Sequence, residues 1–130
     1  MLIELLSAEP FALALSPGFF QFYALAGVLQ ALDDHHCLTN VTHVSGSSAG
    51  AMVGGFFAAG MKPGDMIEPV LSIKREDMWD LGGFGGLLKG KLFQQILEKQ
   101  LPVSRFEDTK IPIGVTAWYY ISSSSLYLSF

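Results

Sequence analysis

Apolar positions along the chain form two kinds of pattern, short continuous runs and longer stretches with helical spacing. The runs predict four β-strands, at residues 11–15, 41–45, 111–120 and 126–130, the last two as a hairpin. The stretches predict four α-helices, at residues 22–34, 49–59, 63–74 and 91–101. The resulting order β-α-β-α-α-α-β-β indicates an α/β fold with at least three core strands.

Two windows, residues 10–32 and 35–61, contain no Asp, Glu, Lys or Arg, and each is long enough to span a bilayer. Pro17-Gly18 interrupts the first window, and the second carries three histidines and a Ser-Gly-Ser-Ser cluster. Lys62 is the only Lys or Arg next to either window, which is too little for a positive-inside signal, and the start Met-Leu-Ile-Glu lacks the basic region of a signal peptide. We therefore favour buried strands and close-packed helices over membrane spans, and expect a cytoplasmic protein.

Composition narrows the class of protein further. A chain of 130 residues that is 50% hydrophobic and 15% charged suits one folded domain and excludes a disordered segment. A net charge of −4 without a basic cluster argues against nucleic acid as a partner. Cys37 is the only cysteine, so an internal disulfide is excluded.

The chemistry is concentrated in Gly46-Ser-Ser48-Ala-Gly50, a Gly-x-Ser-x-Gly motif between a predicted strand and a predicted helix. That order is typical of a nucleophile elbow, in which Ser48 projects at a helix N-terminus. The N–H of Ala49 would then be one oxyanion donor, and a Cβ at Gly46 or Gly50 would collide where strand and helix nearly touch. The alternative is that Ser47 or Ser48 merely caps the helix and that the glycines permit tight packing.

The segment 42–60, Thr-His-Val-Ser-Gly-Ser-Ser-Ala-Gly-Ala-Met-Val-Gly-Gly-Phe-Phe-Ala-Ala-Gly, resembles the elbow of the patatin-like phospholipases. The likeness continues through residues 85–92 and 106–117 and upstream through residues 14–16, Gly18 and residues 27–32. It implies a three-layer α/β/α hydrolase with a mostly parallel sheet, acting on acyl esters of lipids without metal or cofactor. Its serine–aspartate dyad would make Ser48 the nucleophile that forms an acyl-enzyme. His35, His36 and His43 are then poor catalytic candidates.

The chain departs from the family pattern in the oxyanion loop. Where the family has a run of three glycines after the first strand, this chain has Pro17, Gly18 and Phe19, and the family's following basic residue is absent. Backbone N–H donors remain at Gly18 and Phe19 but not at Pro17. The loop and the start of the following helix also carry three phenylalanines, Phe19, Phe20 and Phe22. They are interpreted either as core residues or as an apolar wall for an acyl chain.

A second departure is that the chain contains no Asp-Gly pair, which carries the family's catalytic aspartate. Its own aspartates fall at predicted helix ends or loops that the resemblance does not place in the site. We therefore expect residues 1–130 to be a single partial domain, truncated at the C-terminus and weak or inactive alone as an enzyme. The alternative is a catalytically impaired relative that serves as a lipid-binding or scaffold module.

A glycine-rich stretch at residues 81–90 is predicted to be a mobile loop near the site entrance. It lacks the Lys-Ser/Thr of a P-loop and has no strand directly before it, so phosphate binding is not expected. Lys89 and Lys91 would be available to lipid headgroups, which adds peripheral membrane contact to the expected partners.

Overall fold

The computed structural model describes residues 1–18, 21–74, 91–119 and 124–129, and these contain five α-helices and four β-strands. In chain order they are α1 (Leu2–Ala8), β1 (Phe11–Leu15), α2 (Gln21–Asp34), β2 (Val41–Ser47), α3 (Ala49–Ala58), α4 (Pro63–Ser72), α5 (Lys91–Gln100), β3 (Ile113–Tyr119) and β4 (Ser124–Ser129). Short 3-10 helices lie at Leu38–Asn40 and Phe106–Asp108. Each predicted strand and helix is present within a few residues, whereas α1 was not predicted. The glycine-rich stretch 81–90 lies outside the described residues.

The four strands form one sheet in the order β1-β2-β3-β4. Strand β2 pairs in parallel with both β1 and β3, and β4 pairs antiparallel with β3 as the predicted hairpin partner. The parallel pairs place the carboxyl ends of β1, β2 and β3 at one edge of the sheet. The predicted α/β class with a mostly parallel sheet is therefore confirmed.

Helix α3 packs on one face of the sheet and forms the centre of the core with it. The strand residues on that face are large and apolar: Leu13, Leu15, Val44, Ile113 and Val115. The opposite face bears small or polar residues that are exposed: Ala12, Ala14, His43 and Thr116. The alternation follows from the period of two along a strand, which sends successive side chains to opposite faces.

The C-terminal end of α3 is held by a Schellman motif. Gly60 has φ +94°, its N–H donates to the Phe57 carbonyl at 2.9 Å, and the Met61 N–H donates to the Phe56 carbonyl at 3.0 Å. The Lys110 N–H donates to the Ala58 carbonyl at 2.7 Å, so the chain leading into β3 is fastened to the same helix end. These bonds set the position of β3 relative to α3.

The two uncharged windows are accounted for by packing. Helix α2 buries Phe22, Ala26 and Leu29, and eight of the ten residues of α3 are buried. The Tyr23 hydroxyl donates to the Ile73 carbonyl at 3.0 Å and ties α2 to the end of α4. Within the described residues, every helix is too short or too polar to cross a membrane.

Candidate active site

A sharp turn at Ser48 connects β2 directly to α3. Strand β2 ends at Ser47 and α3 begins at Ala49, so Ser48 alone makes the turn. Its backbone angles are φ 51° and ψ −117°, a conformation that residues other than glycine rarely adopt. Such a backbone costs about 1–3 kcal/mol and persists only where the surrounding structure enforces it. The strand, strained turn and helix of a nucleophile elbow are therefore all present.

The Ser48 side chain is exposed and makes no capping hydrogen bond to the helix, although Ser48 occupies the N-cap position. Its carbonyl oxygen accepts the first helical bond, from the Met52 N–H at 3.1 Å. The capping interpretation is thus wrong for the Ser48 hydroxyl. The hydroxyl stands at the positive end of α3, where the first N–H groups have no partner within the helix.

Close approach of β1, β2 and α3 explains the two motif glycines. A Cβ at Gly46 would lie 2.5 Å from the carbonyl carbon of Gly50. A Cβ at Gly50 would overlap the Leu15 carbonyl oxygen and lie 2.5 Å from the Leu15 carbonyl carbon. The obstructing atoms are backbone, so they cannot rotate away. The same contact brings the end of β1 against the first turn of α3.

Two of the three predicted oxyanion donors, Ala49 and Gly18, lie among the described residues. Ala49 is the first residue of α3 and is buried, so its N–H is held at the helix start beside Ser48. Gly18 follows β1, and its carbonyl accepts the Gln21 N–H at 3.2 Å at the start of α2. Phe19 and Phe20 lie outside the described residues. Phe22 is only 2% exposed and belongs to the core, which favours the packing interpretation for that residue.

A cavity of about 400 Å³ opens beside Ser48, between α3, α5, β3 and the chain around the second 3-10 helix. This volume lies in the usual range for small-molecule sites, about 300–1,000 Å³. Most of the lining side chains are apolar, among them Met52, Leu97, Leu101, Val103, Phe106 and Val115. Such a lining suits a hydrocarbon chain rather than a polar ligand.

A second cavity, of about 260 Å³, lies at the carboxyl ends of β1, β2 and β3. Its lining includes Ser16, Ser45 and Ser47, and it is bounded by Thr116, which also lines the first cavity. The edge of the sheet next to Ser48 therefore carries an apolar cavity and a more hydroxyl-rich one. Sequence reasoning did not single out Thr116, Val103 or Thr109. Thr116 is a polar position in the middle of β3, and Val103 and Thr109 lie in irregular chain without periodicity.

Neither cavity is lined by an Asp or Glu of the described residues. Asp33 and Asp34 end α2, Asp65 lies in the first turn of α4, and Asp108 ends a 3-10 helix. Asp77 and Asp80 lie outside the described residues. None of the aspartates whose positions are described therefore lines a cavity next to Ser48.

The charged pair nearest the cavity is Arg105, which lines it, and Glu107. The guanidinium lies 3.2 Å from the Glu107 carboxylate, and this hydrogen bond lowers the pKa of that carboxyl below its ordinary value. His43 is exposed on the far face of the sheet and lines neither cavity. The described part of the chain also holds no group of three or more His, Cys, Asp or Glu placed to bind a metal ion.

Comparison with known proteins finds a matching family model and a similar fold. A family model described as Patatin-like phospholipase matches residues 13–126, which include the last three residues of β1, the elbow, the residues that line both cavities, and β3. The crystal structure of the type III effector protein ExoU has a similar fold, with a TM-score of 0.60, 17% sequence identity and 93% of this chain covered. The chain spans about a third, 35%, of the ExoU chain.

Proposed function

Because the chain belongs to the patatin-like phospholipase family, we propose that it carries the nucleophile of a serine hydrolase that cleaves acyl esters of lipids. The observation that carries this proposal is Ser48, held exposed in a strained turn at the N-terminus of α3 and opening onto an apolar cavity. An uncapped hydroxyl beside free helical N–H groups is placed to attack a carbonyl carbon.

In the proposed reaction the Ser48 Oγ attacks the acyl carbon while a carboxylate accepts its proton. The negative oxygen that develops is held by the N–H of Ala49 and by the N–H groups of Gly18 and Phe19 in the loop after β1. The carboxylic acid then returns its proton to the departing alcohol, which leaves an acyl ester on Ser48. Water, deprotonated by the same carboxylate, attacks this ester and releases the fatty acid.

The cavity beside Ser48 supports a lipid as the substrate. Its apolar lining would remove an acyl chain from water, and each methylene so buried contributes about 0.8 kcal/mol. Arg105 lines the same cavity and is 69% exposed, so its ion pair with Glu107 stands where the cavity meets solvent. We include in the proposal that the protein meets its substrate at a membrane surface.

We further propose that the carboxylate of the dyad is supplied by an Asp-Gly segment outside these 130 residues. Two observations support this: no described Asp or Glu lines either cavity, and the chain spans about a third of the ExoU chain. A serine without its base retains little beyond binding and oxyanion effects. The 130-residue chain alone is then a weak or inactive enzyme.

The test compares this chain with an extended polypeptide, defined as the chain continued through an Asp-Gly segment grafted from a patatin-like relative. Turnover of 4-nitrophenyl butyrate should be higher for the extended polypeptide by about 10³-fold or more. It should be lost in Ser48→Ala and kept in Ser47→Ala, the neighbouring serine in β2. Equal, Ser48-dependent turnover by the 130-residue chain would overturn the carboxylate assignment, and turnover that survives Ser48→Ala would overturn the nucleophile.

A second candidate function is lipid binding without catalysis. It is favoured by Pro17, which removes one N–H from the loop after β1, since losing one oxyanion donor lowers a rate by about 10²- to 10³-fold. This candidate predicts that the extended polypeptide binds dodecanoate but leaves both short and long esters uncleaved. Hydrolysis by the extended polypeptide would exclude it.

A further inference from the structure

Helix α3 contains three glycines, and only Gly55 lies where a side chain has room. Gly50 meets the Leu15 backbone, and a Cβ at Gly54 would lie 2.9 Å from Val44 Cγ1. Both therefore face the sheet. A Cβ at Gly55 would meet nothing within 4 Å, and Gly55 lines the cavity beside Ser48. The space above Gly55 is thus part of the cavity itself.

Gly55 lies on the same face of α3 as the serine. The cavity-lining positions on this helix are Ser48, Ala51, Met52 and Gly55, which follow the spacing i, i+3, i+4 and i+7 of one helical face. Seven residues advance about 10 Å along a helix axis. A chain attached at Ser48 and lying along this face therefore reaches Gly55 only if it is long.

Packing does not explain why this position is glycine. A glycine inside a helix is less stable than alanine, and here neither a close contact nor a positive φ requires it. The absence of a side chain at position 55 leaves open volume. A larger residue would project into the cavity between α3 and two leucine side chains, Leu97 of α5 and Leu101, which directly follows α5.

We propose that Gly55 determines acyl-chain length, by keeping the cavity open to chains that extend past the first two turns of α3. This inference rests on the proposed function, since it takes Ser48 as the attachment point. A butyryl chain has three carbon–carbon bonds of about 1.5 Å each beyond the ester and ends short of Gly55. A dodecanoyl chain passes it. A side chain at position 55 should then obstruct only the longer substrate.

The kinetic test measures kcat/KM of the extended polypeptide for 4-nitrophenyl butyrate and dodecanoate. Gly55→Leu should lower the ratio of kcat/KM for the dodecanoate ester to kcat/KM for the butyrate ester at least about tenfold, because each methylene excluded from an apolar site lowers kcat/KM about fourfold. Gly55→Ala should give a smaller shift in the same direction. The matched control is Gly27→Leu, since Gly27 is an exposed glycine inside α2 with open space around it and lines neither cavity.

A binding measurement separates this inference from the proposed function. The affinity for free dodecanoate is measured by titration of the Ser48→Ala chain and of the Ser48→Ala chain that also carries Gly55→Leu. This measurement needs no catalysis. Weaker binding in the Gly55→Leu chain, with Gly27→Leu unaffected, supports the inference even where no variant hydrolyses an ester. An unchanged butyrate-to-dodecanoate ratio together with unchanged dodecanoate binding, in a variant whose circular dichroism matches the parent, would overturn it. If Gly55→Leu does not fold, the inference is tested with Gly55→Ala, by the same ratio of kcat/KM values and the same dodecanoate binding.

Discussion

Two glycines five residues apart in α3 should respond in opposite ways to the same added methyl group. In Gly50→Ala the new Cβ overlaps the Leu15 carbonyl oxygen and lies 2.5 Å from the carbonyl carbon and 2.9 Å from the Leu15 Cβ. Relief requires the end of β1 and the start of α3 to move apart. Overpacking of this kind destabilises by about 1–3 kcal/mol.

In Gly55→Ala the methyl group enters open space. The substitution should therefore show only the intrinsic preference of a helix for alanine, a stabilisation of about 0.5–1 kcal/mol. The two variants are thus expected to differ by about 1.5–4 kcal/mol. With a urea m-value of about 1–3 kcal/mol per molar, the unfolding midpoints should be separated by on the order of 1 M.

The assay is urea unfolding followed by far-ultraviolet circular dichroism on the parent chain and the two variants. Gly50→Ala should unfold at lower urea than the parent, and Gly55→Ala at slightly higher urea. The reasoning about the elbow is refuted if Gly50→Ala matches the parent, or if Gly55→Ala is destabilised as strongly as Gly50→Ala.

Three smaller predictions concern single interactions. Ser48→Gly should be more stable than Ser48→Ala by about 1 kcal/mol in urea unfolding, because only glycine relieves the strained backbone at φ 51°; equal stabilities would contradict the strain. Tyr23→Phe should lose about 1 kcal/mol with the hydrogen bond to the Ile73 carbonyl, and a neutral result in the same assay would count against that bond. Arg105 lowers the pKa of Glu107 in the folded protein. The ion pair therefore stabilises the fold at pH values above the ordinary glutamate pKa, and this stabilisation is lost as the pH falls through the lowered pKa. Glu107→Gln should therefore differ slightly from the parent at neutral pH and match it in acid, and a difference that persists in acid would be inconsistent with the ion pair.

Runs of apolar or small residues that end at Gly or Pro were sufficient to predict the elements that enter the core. Strand β1 and helix α3 are observed within one residue of their predicted bounds, because burial requires such a run and Ser16-Pro17-Gly18 and Gly60 mark where each run ends. Helix α1 was not predicted, because none of its residues is buried and its apolar positions therefore do not follow the pattern of a core-facing helix. The Gly-x-Ser-x-Gly spacing likewise located the turn at Ser48, since close backbone contacts at Gly46 and Gly50 leave room for no other residue.

The cavity beside Ser48 could not be predicted from the sequence. Leu97 and Leu101 were recognised as one stripe of an amphipathic helix, but a stripe does not reveal which surface it meets. That Gly55, Val103 and Thr116 line the same space depends on how the α5 region and β3 dock on α3, which is a property of the tertiary structure.

The central claim, that Ser48 is an activated nucleophile, is tested most directly by covalent labelling. The extended polypeptide is treated with a fluorophosphonate probe, and the modified residue is located by mass spectrometry. We predict modification at Ser48, absent in Ser48→Ala and retained in Ser47→Ala. We also predict much slower modification of the 130-residue chain, because our proposal places the carboxylate outside it. A folded, extended polypeptide that remains unmodified at Ser48, or that is modified equally after Ser48→Ala, would contradict the claim.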